Sequence, residues 1–455
     1  MDDELMARIT ERVGDLRVRH LLGRVAAVRG PVLDVAGFGT GVRLGDPVSL
    51  PSLGDRRGEV IGLMPDMAVV LLEGGTDGVS LRTPVRLDPP VRFAPGAHWL
   101  GRVIDPDGRP LDGRPLLPGL GRRSRDQPPP PPHDRRPLGT RLATGLAVFD
   151  TFLPIVRGQR IGLFAGSGVG KSTLLGDLAR WVEADVTVIA LVGERGRELR
   201  HFVEGVLGPV GMARAVVVSA TSDSAPQLRR ACAPAAMTVA EHFRDEGRQV
   251  LLLVDSVTRF AEAHRELALA RGEAASLRGF PPSTAPAIAG LCERAGPGTG
   301  EAGDITAVFT VLVAGSDMEE PVADMLRGVL DGHVVLDRTI AERGRFPAVD
   351  VLRSVSRSLP DAANPQENLL LTEARRMLGL YDRSELMIQS GLYTPGSDER
   401  LDAAIACQAE LERFLARRSP RGPEESFAAL RRVLAQRPPV RDDGVSRSGP
   451  PPARV

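Results

Sequence analysis

The sequence predicts an α/β fold in three parts: a small N-terminal β-barrel, a central parallel sheet covered by helices, and a C-terminal helical domain. Two observations predict this order. Short β-type runs broken by Gly and Asp fill residues 21–87, with turn signals about every ten residues, as in small barrels. From about residue 137 to 355, runs rich in Val, Ile and Leu alternate with helical stretches, which is typical of a parallel sheet buried on both faces.

The composition is that of an ordinary globular protein of two to four domains, and it excludes several classes of function. The formal net charge is zero, so no overall basic field attracts nucleic acid or anionic lipid. Aromatic residues make up only 4%, which disfavours a base-stacking surface for single-stranded nucleic acid. The three cysteines lie far apart and the seven histidines are scattered, so neither a disulfide framework nor a zinc site is expected. With no secretory signal and no long apolar run, we expect a cytoplasmic protein.

The chain begins with a short stretch of helical periodicity. Between residues 2 and 19, apolar residues recur near helical spacing with charges between them: Leu5, Met6, Ile9, Val13 and Leu16. Such a short helix cannot bury its apolar stripe alone. It either packs on its own protein or docks onto a partner.

The predicted domains are a helix over residues 1–19, a barrel over 20–95, a core over 96–365, a helical domain over 366–437 and a disordered tail over 438–455. Core strands are predicted at residues 160–164, 186–192, 215–219, 250–254, 306–313 and 333–336, and C-terminal helices at 368–380 and 400–417. Residues 101–105 form a further strand that enters a Pro-Asp-Gly turn. Five prolines at residues 128–132 form either a stiff spacer or a ligand for a proline-binding partner.

A glycine-rich loop follows the first core strand and precedes a helix. Its residues are Gly166, Ser167, Gly168, Val169, Gly170, Lys171, Ser172 and Thr173. In this strand–loop–helix context, backbone N–H groups and the start of the helix bind phosphates. Lys171 is the only lysine among the 58 basic residues of the chain, and it would reach the β- and γ-phosphates while the Ser172 hydroxyl binds Mg²⁺. The sequence therefore predicts nucleoside triphosphate binding.

Charged residues follow two later strands. Glu194 and Arg195 come directly after one strand, and Asp255 follows another. Because parallel strands end at one edge of the sheet, these groups are expected near the phosphates. Glu194 could orient an attacking water, Glu198 could hold a water on Mg²⁺, and Asp255 could organise Mg²⁺ itself. The alternatives are a solvated charged loop at residues 193–198 and an aspartate that caps the next helix.

A fourth feature lies near residue 350, where arginines cluster on either side of a Phe-Pro pair. An arginine donated across an interface can neutralise charge in a transition state. Spacing alone does not select Arg357 from Arg343, Arg345 or Arg353.

Taken in order, the motifs at residues 165–173, 193–198, 252–259, 279–283, 330–333 and 354–357 resemble those of the rotary ATP synthase catalytic subunits. Within that superfamily the chain is most similar to the type III secretion ATPases, and among them to the flagellar protein-export ATPases (the FliI family). The loop begins with a single glycine after Ala165, and the segment at residues 391–398 is also similar to the secretion proteins. The resemblance covers nearly the whole chain.

The resemblance implies a RecA-like core and a role for each site residue. Lys171, Ser172 and Thr173 would hold the phosphates and Mg²⁺, and Asp255 would organise Mg²⁺. Glu194 would be the general base, and Arg195 would contact the γ-phosphate. Phe346 stands where the family places an aromatic ring against adenine, and Arg357 where it places the arginine finger of the neighbouring subunit.

The resemblance further implies a homohexamer that hydrolyses ATP with Mg²⁺ at the inner-membrane base of the export apparatus. The N-terminal helix would bind a regulatory stator-like partner (FliH in flagella). The C-terminal helices would face the central stalk, the export gate, and export chaperones with their substrates. Three alternatives remain open from the sequence: the ATPase of a virulence injectisome, a Rho-like RNA translocase, and a nonhydrolysing ring subunit.

Overall fold

The structure is a computed structural model that describes residues 6, 10, 20–90, 93–276, 279–313 and 318–436. The helix predicted over residues 2–19 lies outside the described residues except for Met6 and Thr10, and so does the tail predicted over 438–455.

Six antiparallel strands near the N-terminus close into a barrel in the order β1-β2-β5-β4-β3-β6. They are β1 (Leu22–Arg29), β2 (Val32–Ala36), β3 (Pro47–Leu50), β4 (Arg56–Met64), β5 (Met67–Leu72) and β6 (Pro84–Leu87). Inward-facing side chains alternate along the strands, so that Val25, Val35 and Val70 are buried in one apolar interior. The predicted barrel is confirmed.

An eight-stranded sheet forms the core, in the order β14-β13-β8-β12-β11-β9-β10-β7. The strands are β7 (Arg102–Ile104), β8 (Arg160–Ala165), β9 (Val186–Glu194), β10 (Ala215–Thr221), β11 (Val250–Asp255), β12 (Ile305–Leu312), β13 (Gly332–Leu336) and β14 (Val349–Ser356). All neighbours are parallel except β13 and β14. The six predicted core strands are confirmed to within two residues at each end.

The sequence did not predict that the two outer strands, β7 and β14, belong to this sheet. The strand predicted at residues 101–105 becomes the edge strand β7, and β14 was not predicted at all. β14 has the sequence VDVLRSVS and alternates between buried and exposed residues, because it is an antiparallel edge strand with one face open. It therefore lacks the continuous apolar run by which buried parallel strands are found.

The central strands bury side chains on both faces. On β9, Ile189 and Leu191 belong to one apolar cluster, whereas Val188 and Ala190 belong to the other. Because successive side chains of a strand point to opposite faces, this division requires apolar residues at every position. The parallel sheet predicted from those runs is confirmed.

Helices cover both faces of the sheet. They are α1 (Ala147–Asp150), α2 (Lys171–Trp181), α3 (Gly196–His201), α4 (Gly208–Met212), α5 (Pro226–Asp245), α6 (Val257–Ala270), α7 (Thr284–Arg294), α8 (Pro321–Val329) and α9 (Arg338–Glu342), with a π-helical segment at Phe202–Leu207. Short 3₁₀ segments occur at Gly39–Gly41, Pro51–Leu53, Ala97–Trp99 and Pro132–Asp134. None of the described helices is long and apolar enough to cross a membrane.

The C-terminal region consists of helices, as predicted. They are α10 (Pro365–Gln389), α11 (Glu399–Leu415) and α12 (Pro423–Ala435). The first begins where Asn364 accepts a hydrogen bond from the backbone N–H of Glu367 and the Glu367 side chain accepts one from that of Asn364. These helices pack on the same side of the sheet as α2, so the C-terminal domain and the phosphate-loop helix share one apolar core.

Candidate active site

The glycine-rich loop connects β8 to α2 at the carboxyl edge of the sheet. Its backbone requires glycine at two positions, because Gly168 and Gly170 have φ values of +78° and +90°. Gly170 is also the N-cap of α2 and provides no side-chain hydrogen bond to the first turn. The N–H groups of that turn are therefore left for a bound anion.

Lys171 connects the loop to two carboxylates from neighbouring strands. Its Nζ atom contacts Oδ1 of Asp255 and lies 3.8 Å from Oε1 of Glu194. The Asp255 side chain is only 5% exposed and also accepts a hydrogen bond of 2.8 Å from the Thr310 hydroxyl of β12. A buried carboxylate is costly unless it is paired, so the lysine ammonium stabilises both acids.

Glu194 ends β9 beside this pair, and its environment makes its carboxyl group hard to ionise. Burial, together with the negative charge of Asp255, raises the pKa of Glu194 to about 7, and the positive charge of Lys171 partly opposes the rise. A carboxyl group with a pKa near neutrality can accept or release a proton at the pH of the cell. The predicted general base therefore lies at the loop in an environment suited to proton transfer.

A cavity of about 1010 Å³ surrounds the loop. All eight predicted loop residues, Gly166 to Thr173, line it, together with Glu194, Arg195 and Glu198. Arg195 is 67% exposed and its Nη1 atom lies 3.5 Å from Oε1 of Glu198. These two side chains thus lie in contact with solvent, whereas the side chains of Lys171 and Asp255 are only 11% and 5% exposed.

The same cavity is lined by three arginines that were not predicted as site residues: Arg229, Arg259 and Arg338. Arg259 lies in the first turn of α6, four residues after Asp255, and its Nη1 atom donates a hydrogen bond of 2.8 Å to Glu262. Arg338 begins α9 directly after β13. Both follow a parallel strand, so the rule that led to Glu194 and Asp255 could have found them.

Phe346 lies in the loop between α9 and β14 and adjoins the phosphate loop. A Cβ atom added to Gly170 would lie 3.2 Å from Cδ1 of the Phe346 ring. The ring is 51% exposed. Since an aromatic residue normally buries most of its surface, this half-open ring beside the phosphate loop is available to stack on a planar group.

Arg357 is the one predicted site residue that lies away from this cluster. It follows β14, which runs antiparallel to β13, and its backbone N–H donates to the carbonyl of Asp331. Asp331 in turn binds Arg160 at the start of β8. The phosphate loop begins after the sixth residue of β8, so about 20 Å of strand separates Arg357 from the loop of its own chain.

The remaining site residues therefore form one constellation. A phosphate-binding loop, one ammonium group, a base with a raised pKa and a buried carboxylate meet at the carboxyl edge of a parallel sheet. This arrangement can bind a polyphosphate and activate a water molecule against its terminal phosphorus.

Comparison with known proteins gives matches over most of the chain. The profile described as "ATP synthase alpha/beta family, nucleotide-binding domain" matches residues 145–356. The profile described as "T3SS EscN ATPase C-terminal domain" matches residues 363–432. The flagellum-specific ATP synthase of Caulobacter vibrioides is 42% identical over 435 residues, which is 93% of this chain and 97% of that protein.

Solved structures agree with the sequence matches. The assembled ATPase EscN from the type III secretion system of enteropathogenic E. coli superimposes with a TM-score of 0.84 at 35% identity, covering 90% of this chain and 100% of that chain. The structure of assembled EscN in complex with its central stalk EscO gives a TM-score of 0.81, with the same coverage.

Proposed function

The chain belongs to the ATPases of type III protein export, which share the nucleotide-binding domain of the ATP synthase alpha/beta family, and we propose that its ATP hydrolysis at Lys171 and Glu194 drives the export of flagellar proteins. The observation that carries the proposal is the position of Glu194. Its carboxylate lies 3.8 Å from the Lys171 ammonium, on the strand end next to Asp255. A ring subunit that only binds nucleotide has no need of a base at this position.

Each residue of the cluster has a distinct task. The N–H groups at the start of α2 and the Lys171 ammonium bind the phosphates and stabilise the charge that develops on them. Glu194 accepts a hydrogen bond from the attacking water and orients it in line with the leaving group. Arg195, on the exposed side of the cavity, contacts the γ-phosphate. Phe346 stacks on the adenine.

Mg²⁺ fits the oxygen donors that this site presents. The Ser172 hydroxyl would bind the ion, Asp255 would organise it, and Glu198 would act through a water molecule. Among the described residues no cluster of three or more ligating side chains forms a ready-made metal site. Mg²⁺ needs no such cluster, because it keeps several waters and binds through few protein groups and the substrate phosphates. When bound, Mg²⁺ neutralises charge on the phosphates.

Arg357 completes the site of a neighbouring subunit in this proposal. Its distance of about 20 Å from its own phosphate loop excludes a contact with that loop, while its exposed side chain, which donates a hydrogen bond of 3.5 Å to the carbonyl of Arg327, lies where a second copy can contact it. An arginine on one face and a nucleotide site on the other make a heterologous interface, which closes into a ring. A relative whose structure is of the assembled ATPase supports association of several copies, and we propose a homohexamer.

Mixing two inactive variants tests this arrangement. Glu194→Gln lacks the base, and Arg357→Ala lacks the arginine, so neither should hydrolyse ATP alone. In mixed rings, about a quarter of the interfaces combine an intact Glu194 with an intact Arg357 from the neighbour, and activity should return. If co-assembled mixtures remain as inactive as the two parents, the shared site is wrong. A mixture of Glu194→Gln with Lys171→Ala is the matched control and should remain inactive.

The flagellar system is favoured over the virulence injectisome by a somewhat higher identity, 42% to the flagellum-specific protein against 39% to the type 3 secretion system ATPase of Xanthomonas euvesicatoria. On this basis we propose that the chain works in the cytoplasm at the inner-membrane base of the flagellar export apparatus. Its partners there would be a central stalk protein, a FliH-like partner on the N-terminal helix, the export gate, and chaperones with their substrates. The stalk in the EscN complex supports the first of these.

Deletion of the gene in its native cell distinguishes the two systems. We expect the loss of flagellar filaments, restored by the wild-type gene but not by Glu194→Gln. A deletion strain that keeps its filaments but no longer secretes virulence effectors would transfer the protein to an injectisome.

A further inference from the structure

The loop that carries Phe346 is tied to the C-terminal helices by two arginines that precede the ring in the chain. Arg343 contacts α10, with 2.9 Å between its Nη1 atom and Oε1 of Glu385. Arg345 contacts α11, with 2.7 Å between its Nε atom and Oε2 of Glu412. The residue proposed to stack on adenine thus comes one and three residues after the two attachments to the C-terminal helices.

The two attachments differ in strength. The Arg343 side chain is 56% exposed, and an ion pair in that setting contributes little because solvent screens it. The Arg345 side chain is only 8% exposed, and burial lowers the pKa of Arg345, which nevertheless remains charged. A guanidinium buried to this degree depends on its counter-ion, so the loss of Glu412, although that side chain is 39% exposed, should affect the loop more than the loss of Glu385.

Within the loop, Arg345 has few other partners. Its Nη2 atom donates a hydrogen bond of 3.0 Å to the carbonyl of Val349, and its Nη1 atom is buried without a hydrogen-bond partner among the described residues. The Nε–H group is not aligned for a hydrogen bond with Glu412, so that contact is an ion pair. Glu412 itself accepts a hydrogen bond of 3.2 Å from Gln408, one turn earlier on α11, and therefore moves with that helix.

The packing around this ion pair is not close. A cavity of about 310 Å³ lies between the core and the C-terminal helices, lined by Asp337 and Asp350 on one side and by Tyr381 and Gln408 on the other. Elsewhere α10 and α11 are packed into the apolar core that they share with α2, so at this cavity the ion pair, and not close packing, holds the loop. At this cavity the Arg345–Glu412 pair connects the loop to α11, with the Arg345 side chain 8% exposed and that of Glu412 39% exposed.

We propose that the Glu412–Arg345 ion pair positions Phe346 against the base of the nucleotide, with Glu412 acting as a positioning residue on α11. The inference rests on the proposed function, in which the base stacks on Phe346. Arg345 is the residue directly before Phe346, so a shift of α11 that moves Glu412 also moves the ring.

The test separates contacts to the base from contacts to the phosphates. For Glu412→Ala we expect the KM for ATP to rise roughly three- to tenfold, the range of a lost aromatic stacking contact, with kcat within about twofold of wild type. The inhibition constant of inorganic tripolyphosphate, which has no base, should stay unchanged. Glu410→Ala is the matched control, since Glu410 lies on the same helix in an exposed pair with Arg413 and should alter neither quantity.

A second variant shows whether the effect passes through the ring. Phe346→Ala should raise the KM for ATP by itself, and adding Glu412→Ala to it should cause no further rise. Additive effects would overturn the inference, as would an equal rise in the KM for ATP and in the inhibition constant of tripolyphosphate. If Glu412→Ala does not fold, the isosteric Glu412→Gln is measured in its place, and an unchanged KM in a folded variant refutes the coupling. By contrast, a Phe346→Ala protein with wild-type KM would refute the proposed stacking itself.

Discussion

Replacement of Glu194 by glutamine removes one buried charge and almost no volume, so its effects report on ionisation. Without a carboxylate to orient water, kcat should fall by roughly 10²- to 10⁴-fold. The affinity for ATP should be equal to that of wild type or higher, because Lys171 is retained and a negative charge near the phosphates is lost. Turnover is measured by phosphate release, and affinity by calorimetric titration with ATP.

The same substitution should make the nucleotide-free protein more stable at alkaline pH. The pKa of Glu194 is raised from 4.5 to about 7 in the folded state, so between these values the folded protein binds a proton that the unfolded chain has released. Below pH 4.5 both states are protonated and the raised pKa costs nothing. Above pH 7 Glu194 is ionised in the folded state as well, and its raised pKa then lowers the free energy of unfolding by at most ~3 kcal/mol.

Urea unfolding of the nucleotide-free protein at pH 5 and pH 8 measures this difference. We expect Glu194→Gln to resemble wild type at pH 5 and to gain between about 1 and 3 kcal/mol at pH 8. Glu183→Gln is a suitable control, because that carboxylate is 61% exposed. Wild-type turnover in Glu194→Gln, or a gain in stability that is the same at both pH values, would refute the reasoning.

Three further outcomes follow from other parts of the structure. Glu241→Ala should lower the free energy of unfolding by about 3–5 kcal/mol in urea titrations, because Arg294, with its side chain 6% exposed, would lose its buried counter-ion. A loss of stability smaller than that caused by breaking an exposed ion pair would contradict this. Hydrogen bonds from Arg102 hold the pKa of Asp112 well below its usual range, so that pair stabilises the fold above about pH 4 and less as the pH falls further. Asp112→Asn should therefore be less stable than wild type at pH 7, with a gap that narrows in acid; a gap independent of pH would argue against an ionic cause. Specific ATPase activity of wild type should rise with protein concentration as rings assemble, and that of Arg357→Ala should stay low throughout; full turnover by a proven monomer would exclude the shared site.

Local sequence was sufficient for much of the site. The phosphate loop could be predicted because its glycines, its lysine and the start of α2 are adjacent in the chain, and the φ values of Gly168 and Gly170 show why glycine stands there. Glu194 and Asp255 could be predicted because parallel strands end at one edge, so a residue that follows an apolar run is placed by topology alone. The same rule also applies to Arg259 and Arg338, which were not predicted as site residues.

The edge strand β14 marks the limit of that approach. Its mixed sequence shows neither a continuous apolar run nor strict alternation, since one face is open and its partner runs antiparallel. Because β14 was not predicted, Arg357 could not be placed relative to the site, and spacing did not distinguish it from the neighbouring arginines. The direction of β14 in the sheet places Arg357 about 20 Å from the phosphate loop of its own chain.

The glycine-rich loop, the strand ends and the alternation of apolar runs were determined by the sequence alone, because each depends on residues near one another in the chain. Only the tertiary structure decided which distant charges meet. The pKa of Glu194 depends on Asp255, 61 positions later, and the Phe346 loop is tied to a glutamate on α11, 66 residues beyond the ring. Burial and charge pairing across such separations are set by how helices and strands pack, and no local pattern carries that information.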